Sequence, residues 1–139
     1  MQFDSTNKPI GIKRILLAFK NSQRAFTWLA KHESAFKQEL ILLVLAIAVV
    51  FVWQISLYEK IMLLASVLFV MFAEVVNTAI EAAIDRIGLE IHPLSGLAKD
   101  LGSAAVLIAL TICVLVWGGV FINNLRESLQ SAQWRPFDE

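Results

Sequence analysis

Three stretches of this chain carry no charged side chain: residues 40–53, 61–73 and 101–125. Nothing else in the sequence constrains the fold as strongly, because a water-soluble domain cannot spread so much uncharged surface around one small core. The first stretch reads Leu40-Ile-Leu-Leu-Val-Leu-Ala-Ile-Ala-Val-Val-Phe-Val-Trp53 and fades through Gln54 to Leu57. As a helix it rises about 27 Å, roughly one hydrocarbon core. A long polar segment precedes it and no small-residue cleavage motif follows, which argues against a removed signal peptide. The second stretch starts at Ile61 and continues in helical period to Ile87; the third runs from about Leu101 to Ile122. Composition agrees: 58% of residues are hydrophobic and 17% charged, against about half and a quarter in ordinary soluble domains. The expected fold class is an all-α membrane protein. It has a surface helix over 8–31, spans over 38–57, 61–87 and 99–122, and a polar tail over 123–139.

Short connections set the topology. Ser56–Lys60 predicts a tight antiparallel hairpin between the first two spans. Gly88, Pro93 and Gly96 mark the second turn, stopping one helix and permitting the next. Seven basic residues (Lys8, Lys13, Arg14, Lys20, Arg24, Lys31, Lys37) precede the first span, more than any other connection holds. The positive-inside rule therefore expects a cytoplasmic N-terminus, with the hairpin and the tail outside. Within 10–31, Ile12, Ile15, Leu16, Phe19, Phe26 and Trp28 alternate with Lys13, Lys20, Arg24 and Lys31. That mixture suits an amphipathic helix on the inner leaflet. Trp53, Trp117 and Tyr58 read as interface anchors, and Gly118-Gly119 as a place of close helix approach. The twelve basic and twelve acidic residues cancel, so net charge offers no support for a nucleic-acid partner. A single cysteine, Cys113, excludes an internal disulfide and a CxxC metal site.

The second span carries groups that a membrane helix ordinarily avoids: Glu74, Asn77, Thr78, Glu81 and Asp85. At about 100° per residue they fall on one stripe about 100° wide, with Val75, Val76, Ala79, Ala82 and Ile84 filling most of the remainder. Ionisable groups in a span are costly and mark an interior site more often than a lipid contact. Glu74 lies roughly 20 Å in from the outer surface, and Glu81 and Asp85 emerge at the cytoplasmic boundary. The turn returns Lys99, Asp100 and Ser103 to that level, and Glu33 and Glu39 precede the first span there. Interhelical pairing for assembly, for instance Lys99 with Asp85, is the plainer explanation of any single residue. For the whole set, so many acids beside so few cations fit a divalent cation better. Magnesium takes oxygen ligands, commonly one or two carboxylates plus substrate phosphates. A lysine nearby can hold phosphate charge, and a deep, desolvated Glu74 suits a general base for a hydroxyl inside the membrane. The residues thus suggest metal-assisted phosphoryl chemistry on a lipid. They offer no P-loop, no GxGxxG and no protein-kinase catalytic loop.

The run Glu74-Val-Val-Asn-Thr-Ala-Ile-Glu-Ala-Ala-Ile-Asp-Arg86, with Gly88, His92 and Lys99-Asp-Leu-Gly-Ser-Ala-Ala-Val106, closely resembles the bacterial integral-membrane diacylglycerol kinase family. The resemblance extends back through Glu33-Ser-Ala-Phe-Lys-Gln-Glu39 and, more weakly, to Arg14. It implies a three-span subunit with an N-terminal surface helix in the bacterial inner membrane, working as a homotrimer with composite sites. The implied reaction is ATP plus 1,2-diacyl-sn-glycerol giving ADP and phosphatidate, with Mg2+ as cofactor. By position Glu74 resembles the family's general base, and Glu33 and Glu81 its metal-linked, nucleotide-binding carboxylates. Arg14, Glu90, His92, Lys99 and Asp100 fall where the family contacts ATP. Ser103, together with Glu39 and Glu74, falls beside the lipid, while Asn77 and Asp85 take supporting roles. Asn21 and Ala30 stand where relatives carry aromatics, and the tail is longer than the family needs.

Undecaprenol kinase is the alternative within the same fold. Outside it, a non-enzymatic membrane subunit or an ion pathway would use the acids differently. A pathway predicts polar residues across the full depth, yet the outer half holds little beyond Ser66 and Thr111. Cys113 reads as an inert buried thiol.

Overall fold

The structure is a computed structural model that describes residues 10–88 and 92–133. Those residues form four helices: α1 (Ile12–His32), α2 (Ser34–Val52), α3 (Leu57–Ile87) and α4 (Pro93–Gln133). α2, α3 and α4 are each long and apolar enough to cross a membrane. Internal contacts divide the chain into two units, Met1–Lys37 and Gln38–Glu139.

In the first unit, α1 begins after Gly11, whose φ of 68° is a conformation glycine adopts freely. Ile12, Ile15, Leu16 and Phe19 of this helix are exposed. α1 stops at His32 because Glu33 is extended, its N–H still donating to Leu29 O at 2.9 Å. The His32 ring stacks on Trp28 and its Nδ1 lies 2.9 Å from Trp28 O, one turn back. Phe26 and Phe36 stack across the break with ring centroids 6.1 Å apart.

In the second unit, local capping moves the helix ends away from the hydropathy boundaries. α2 ends at Val52, five residues short of the expected limit, and α3 begins four residues early, at Leu57. The cause is a capping box. Ser56 Oγ accepts from Glu59 N at 3.3 Å, and Glu59 Oε2 accepts from Ser56 N at 2.9 Å and from Ser56 Oγ at 2.7 Å. The turn is therefore 53–56, and Leu57–Lys60 form the first turn of α3. α4 likewise starts six residues before the expected Lys99. Pro93 fits the first helical position, where a missing N–H is harmless. His92 caps the end: its Nδ1 accepts from Leu94 N at 3.2 Å, and its carbonyl accepts from Ser95 N and Gly96 N. At its far end α4 continues through residues expected to form a polar tail. No proline or glycine interrupts 123–133, and Asn123 Nδ2 donates to Glu127 Oε1 one turn on.

α3 and α4 pack antiparallel. Cys113 lies opposite Ser66, Gly102 opposite Asn77, and Asn124 Nδ2 donates to Glu59 Oε1 at 3.0 Å. α2 joins them through Ala46, which packs with Val67, Val70, Ala73, Ala109 and Cys113, and through Val50, which packs with Leu63 and Val120. The buried positions recur at intervals of one or two helical turns: Glu39, Ala46 and Val50 on α2; Leu63, Val67, Val70 and Glu74 on α3; Gly102, Ala109, Cys113 and Val120 on α4. Small residues dominate the α4 seam, as close packing requires where lipid competes equally for apolar surface. Ser66 needs no outside partner, because its hydroxyl donates to Leu63 O at 2.8 Å.

Candidate intramembrane active site

The α3 seam changes character halfway along. Leu63, Val67 and Val70 are fully buried, and the same face then presents Glu74, Asn77 and Thr78, exposed by only 8%, 9% and 9%. The packing that buries the apolar half carries the polar half into the interior with it, since both lie on one face at helical spacing. Apolar side chains in this segment, such as Phe72 and Val76, are turned outward.

Two carboxylates meet at the level of Glu74. Glu39, near the start of α2, is 8% exposed, and Glu74 is the neighbour whose charge reaches it. Its Oε2 has no hydrogen-bond partner among the described residues. A buried carboxylate oxygen without a donor is an unmet acceptor, and an alcohol O–H is a natural group to meet it. One turn along α3, Asn77 Nδ2 donates to Glu81 Oε1 at 3.1 Å, which orients a half-buried carboxylate. A further turn on, Asp85 Oδ1 accepts from Lys99 Nζ at 2.6 Å. Glu81 is close enough to Lys99 for its charge to be felt there as well. The ladder runs from the interior to the helix end as Glu39 with Glu74, Asn77 with Glu81, and Asp85 with Lys99.

Other expected residues are placed less decisively. Asp100 and Ser103 lie exposed on the first turns of α4. His92 is engaged as the α4 cap, a structural task that uses its Nδ1 as the acceptor for Leu94 N. Glu33 and Arg14 belong to the first unit, Glu33 at the break after α1 and Arg14 exposed on its first turn. Glu90 lies outside the described residues. Among the described residues no group of three or more His, Cys, Asp or Glu gathers as a metal site. Of the expected acids, Asp85 is engaged in an ion pair with Lys99.

The sequence reading passed over two features. Gly102 faces Asn77 across the seam, and the signal for it was a glycine inside a helix, which commonly marks close approach. Glu59 ties the α3 cap to Asn124 of α4 at the other end of the seam, and the S-x-x-E pattern at Ser56–Glu59 announced it.

Buried carboxylates on a seam between apolar helices define a multi-pass membrane protein with an intramembrane polar site. Family comparison makes this specific: residues 20–121 match the family model described as prokaryotic diacylglycerol kinase, and the chain belongs to that family. It is 41% identical to the diacylglycerol kinase of Escherichia coli K12 over 111 residues, covering 80% of this chain and 91% of the relative. The diacylglycerol kinase of Pseudomonas aeruginosa PAO1 is 41% identical over 113 residues, 81% and 92% of the two chains. That of Haemophilus influenzae Rd is 42% identical over 113 residues, 81% and 96%.

Proposed function

We propose that this protein transfers the γ-phosphoryl group of ATP to the hydroxyl of 1,2-diacyl-sn-glycerol, giving phosphatidate and ADP. The observation that carries the reading is the buried Glu74, set beside the buried Glu39 where the seam passes from its apolar half, Leu63, Val67 and Val70, to its polar half. A carboxylate there can be reached by a lipid hydroxyl more easily than by a solute. Family membership supports the same reaction, because the relatives above are diacylglycerol kinases.

The chemistry follows from the order of groups along α3. The lipid hydroxyl approaches laterally and donates to the Glu39–Glu74 pair. As its oxygen attacks the γ-phosphorus, the proton passes to Glu74, the bond to the β–γ bridging oxygen breaks, and ADP leaves. Lys99, leaving Asp85, counters the charge of the transferring phosphoryl group. Glu81 and Glu33, with Arg14, Glu90, His92 and Asp100, serve the nucleotide side. Hard oxygen donors at the helix ends suit Mg2+, and the carboxylate of Glu81 is already turned by Asn77. Magnesium supplies charge neutralisation on the phosphates.

The reading includes a cytoplasmic N-terminus in the bacterial inner membrane, supported by the basic residues before the first span. It also includes α1 lying on the inner leaflet as an amphipathic helix, and a homotrimer whose subunits complete one another's sites. Labelled ATP supplied to purified protein in vesicles, with diacylglycerol and undecaprenol offered in competition, tests it. Labelled phosphatidate is the expected product; preferential labelling of the polyprenol would move the protein to the alternative activity.

A further inference from the structure

Glycine is among the least favourable residues inside a helix, so an interior glycine calls for a reason. Gly96, Gly118 and Gly119 of α4 have open space where a Cβ would stand. Gly102 does not. A Cβ there would overlap Asn77 Oδ1, with Asn77 Cγ at 3.3 Å and Asn77 Cα at 3.7 Å from the same point. The carboxamide of Asn77 thus fills the volume that a side chain at 102 would take. It is 91% buried, being 9% exposed, and its Oδ1 has no hydrogen-bond partner among the described residues. Only its Nδ2 is engaged, by Glu81 Oε1 at 3.1 Å. The amide cannot be reversed, because that would set its oxygen against the carboxylate.

We propose that Gly102 is a positioning residue for the nucleotide side of the site. Its missing side chain lets the Asn77 amide lie across the α3–α4 seam and hold the Glu81 carboxylate in one orientation. The inference rests on the reading of Glu81 as a nucleotide-linked carboxylate. Glutamate on a helix has several rotamers, and freezing one of them before the ligand arrives removes an entropic cost from binding. One Glu81 oxygen stays with Asn77, and the other is presented outward in a fixed direction. Losing an orienting hydrogen bond to a charged group changes an equilibrium by about tenfold or more.

The test compares Gly102→Ala, Asn77→Ala, the double variant and Glu81→Gln. It uses equilibrium MgATP binding, the separate KM values for MgATP and diacylglycerol, and the melting temperature. Gly102→Ala and Asn77→Ala are each expected to weaken MgATP binding by about tenfold while leaving the lipid KM unchanged. The double variant is expected to bind no worse than Asn77→Ala, because both changes break the same contact. It should also melt like Asn77→Ala, since without the carboxamide the new Cβ meets Asn77 Cα at an ordinary 3.7 Å. The double variant therefore carries the test if Gly102→Ala alone fails to assemble: binding weaker than that of Asn77→Ala overturns the inference. Unchanged MgATP binding by an assembled Gly102→Ala overturns it too, as does a glycine variant that lowers only the melting temperature. Glu81→Gln separates the two levels. If it binds MgATP normally, the reading of Glu81 falls and the inference with it; if it is impaired while Gly102→Ala is not, the inference falls alone.

Discussion

Replacing Glu74 by glutamine keeps the volume of the side chain and removes its capacity to accept a proton. Glu74 lies 17 residues beyond Leu57 and 13 before Ile87, about 26 Å and 20 Å along the helix axis. Its burial, with only 8% of the residue exposed, keeps it from water, so a hydroxide or buffer base has no ready path to replace it. Loss of a positioned general base costs about 10²–10⁴-fold in turnover, equivalent to about 2.7–5.5 kcal/mol of barrier. The fold should survive, because Glu39 and Glu74 lie within reach of one another's charge and the amide removes one of two like charges. MgATP binding should survive too, since Glu81, the proposed nucleotide-side carboxylate of α3, sits about two turns further along. The assay is transfer of labelled phosphate to diacylglycerol by the purified variant in vesicles, with MgATP binding and melting temperature measured alongside. Turnover close to that of the parent would remove Glu74 from the chemistry. Parallel loss of MgATP binding would instead make it a structural or nucleotide-side residue.

Ser103 is exposed on α4 and makes no bond to its own helix, unlike Thr111 and Ser128, whose hydroxyls donate to Leu107 O and Asn124 O. Ser103→Ala is therefore expected to raise the KM for diacylglycerol by up to about tenfold with the MgATP KM unchanged; an unchanged lipid KM would free Ser103 from the substrate. Asp85→Asn removes the partner that holds Lys99 in a largely solvent-exposed pair, 41% and 60% exposed, so MgATP affinity should hold or rise while Lys99→Met lowers it. Equal losses in the two variants would mean that the ion pair itself, rather than the lysine, is what matters. Truncation after Asn124 should leave kinase activity in place, because the Glu59–Asn124 bond is retained and the proposed site lies at the other end of α3. Inactive but fully assembled protein would contradict that placement.

The spans were legible because charge is absent over three stretches of thirteen or more residues, a signal that needs no partner residue to interpret. The polar stripe of α3 was legible for a related reason: five polar residues sharing one face of a helix leave few alternatives. Helix ends were read less well, since hydropathy averages over the few residues that decide them. Ser56 and Glu59 start α3 through a capping box inside the segment assigned to the turn, and His92 starts α4 through its own ring. Partner choice was legible in part: Asp85 and Lys99 share a level, which made their pairing the plainer explanation of those two residues, and that ion pair forms. The role of Gly102 depends on a contact between two helices, and a sequence contains no such contact until the register between them is known.

That register is set at the opposite end from the chemistry. Leu63, Val67 and Val70 fit against Ala109, Cys113 and Val120 with few polar atoms to guide them, and apolar contacts alone permit sliding. The directional bond from Asn124 to Glu59 does not, since its donor–acceptor distance is 3.0 Å and one residue of slip moves a helix by about 1.5 Å and turns its face by about 100°. Such a slip would take Gly102 away from Asn77 and Lys99 away from Asp85 together. The halves of α3 and α4 that hold Glu59 and Asn124 therefore act as a ruler for the halves that hold Asn77 and Gly102. An apolar, closely packed half holds the alignment, and the same face can then carry carboxylates where a lipid hydroxyl and a nucleotide must meet.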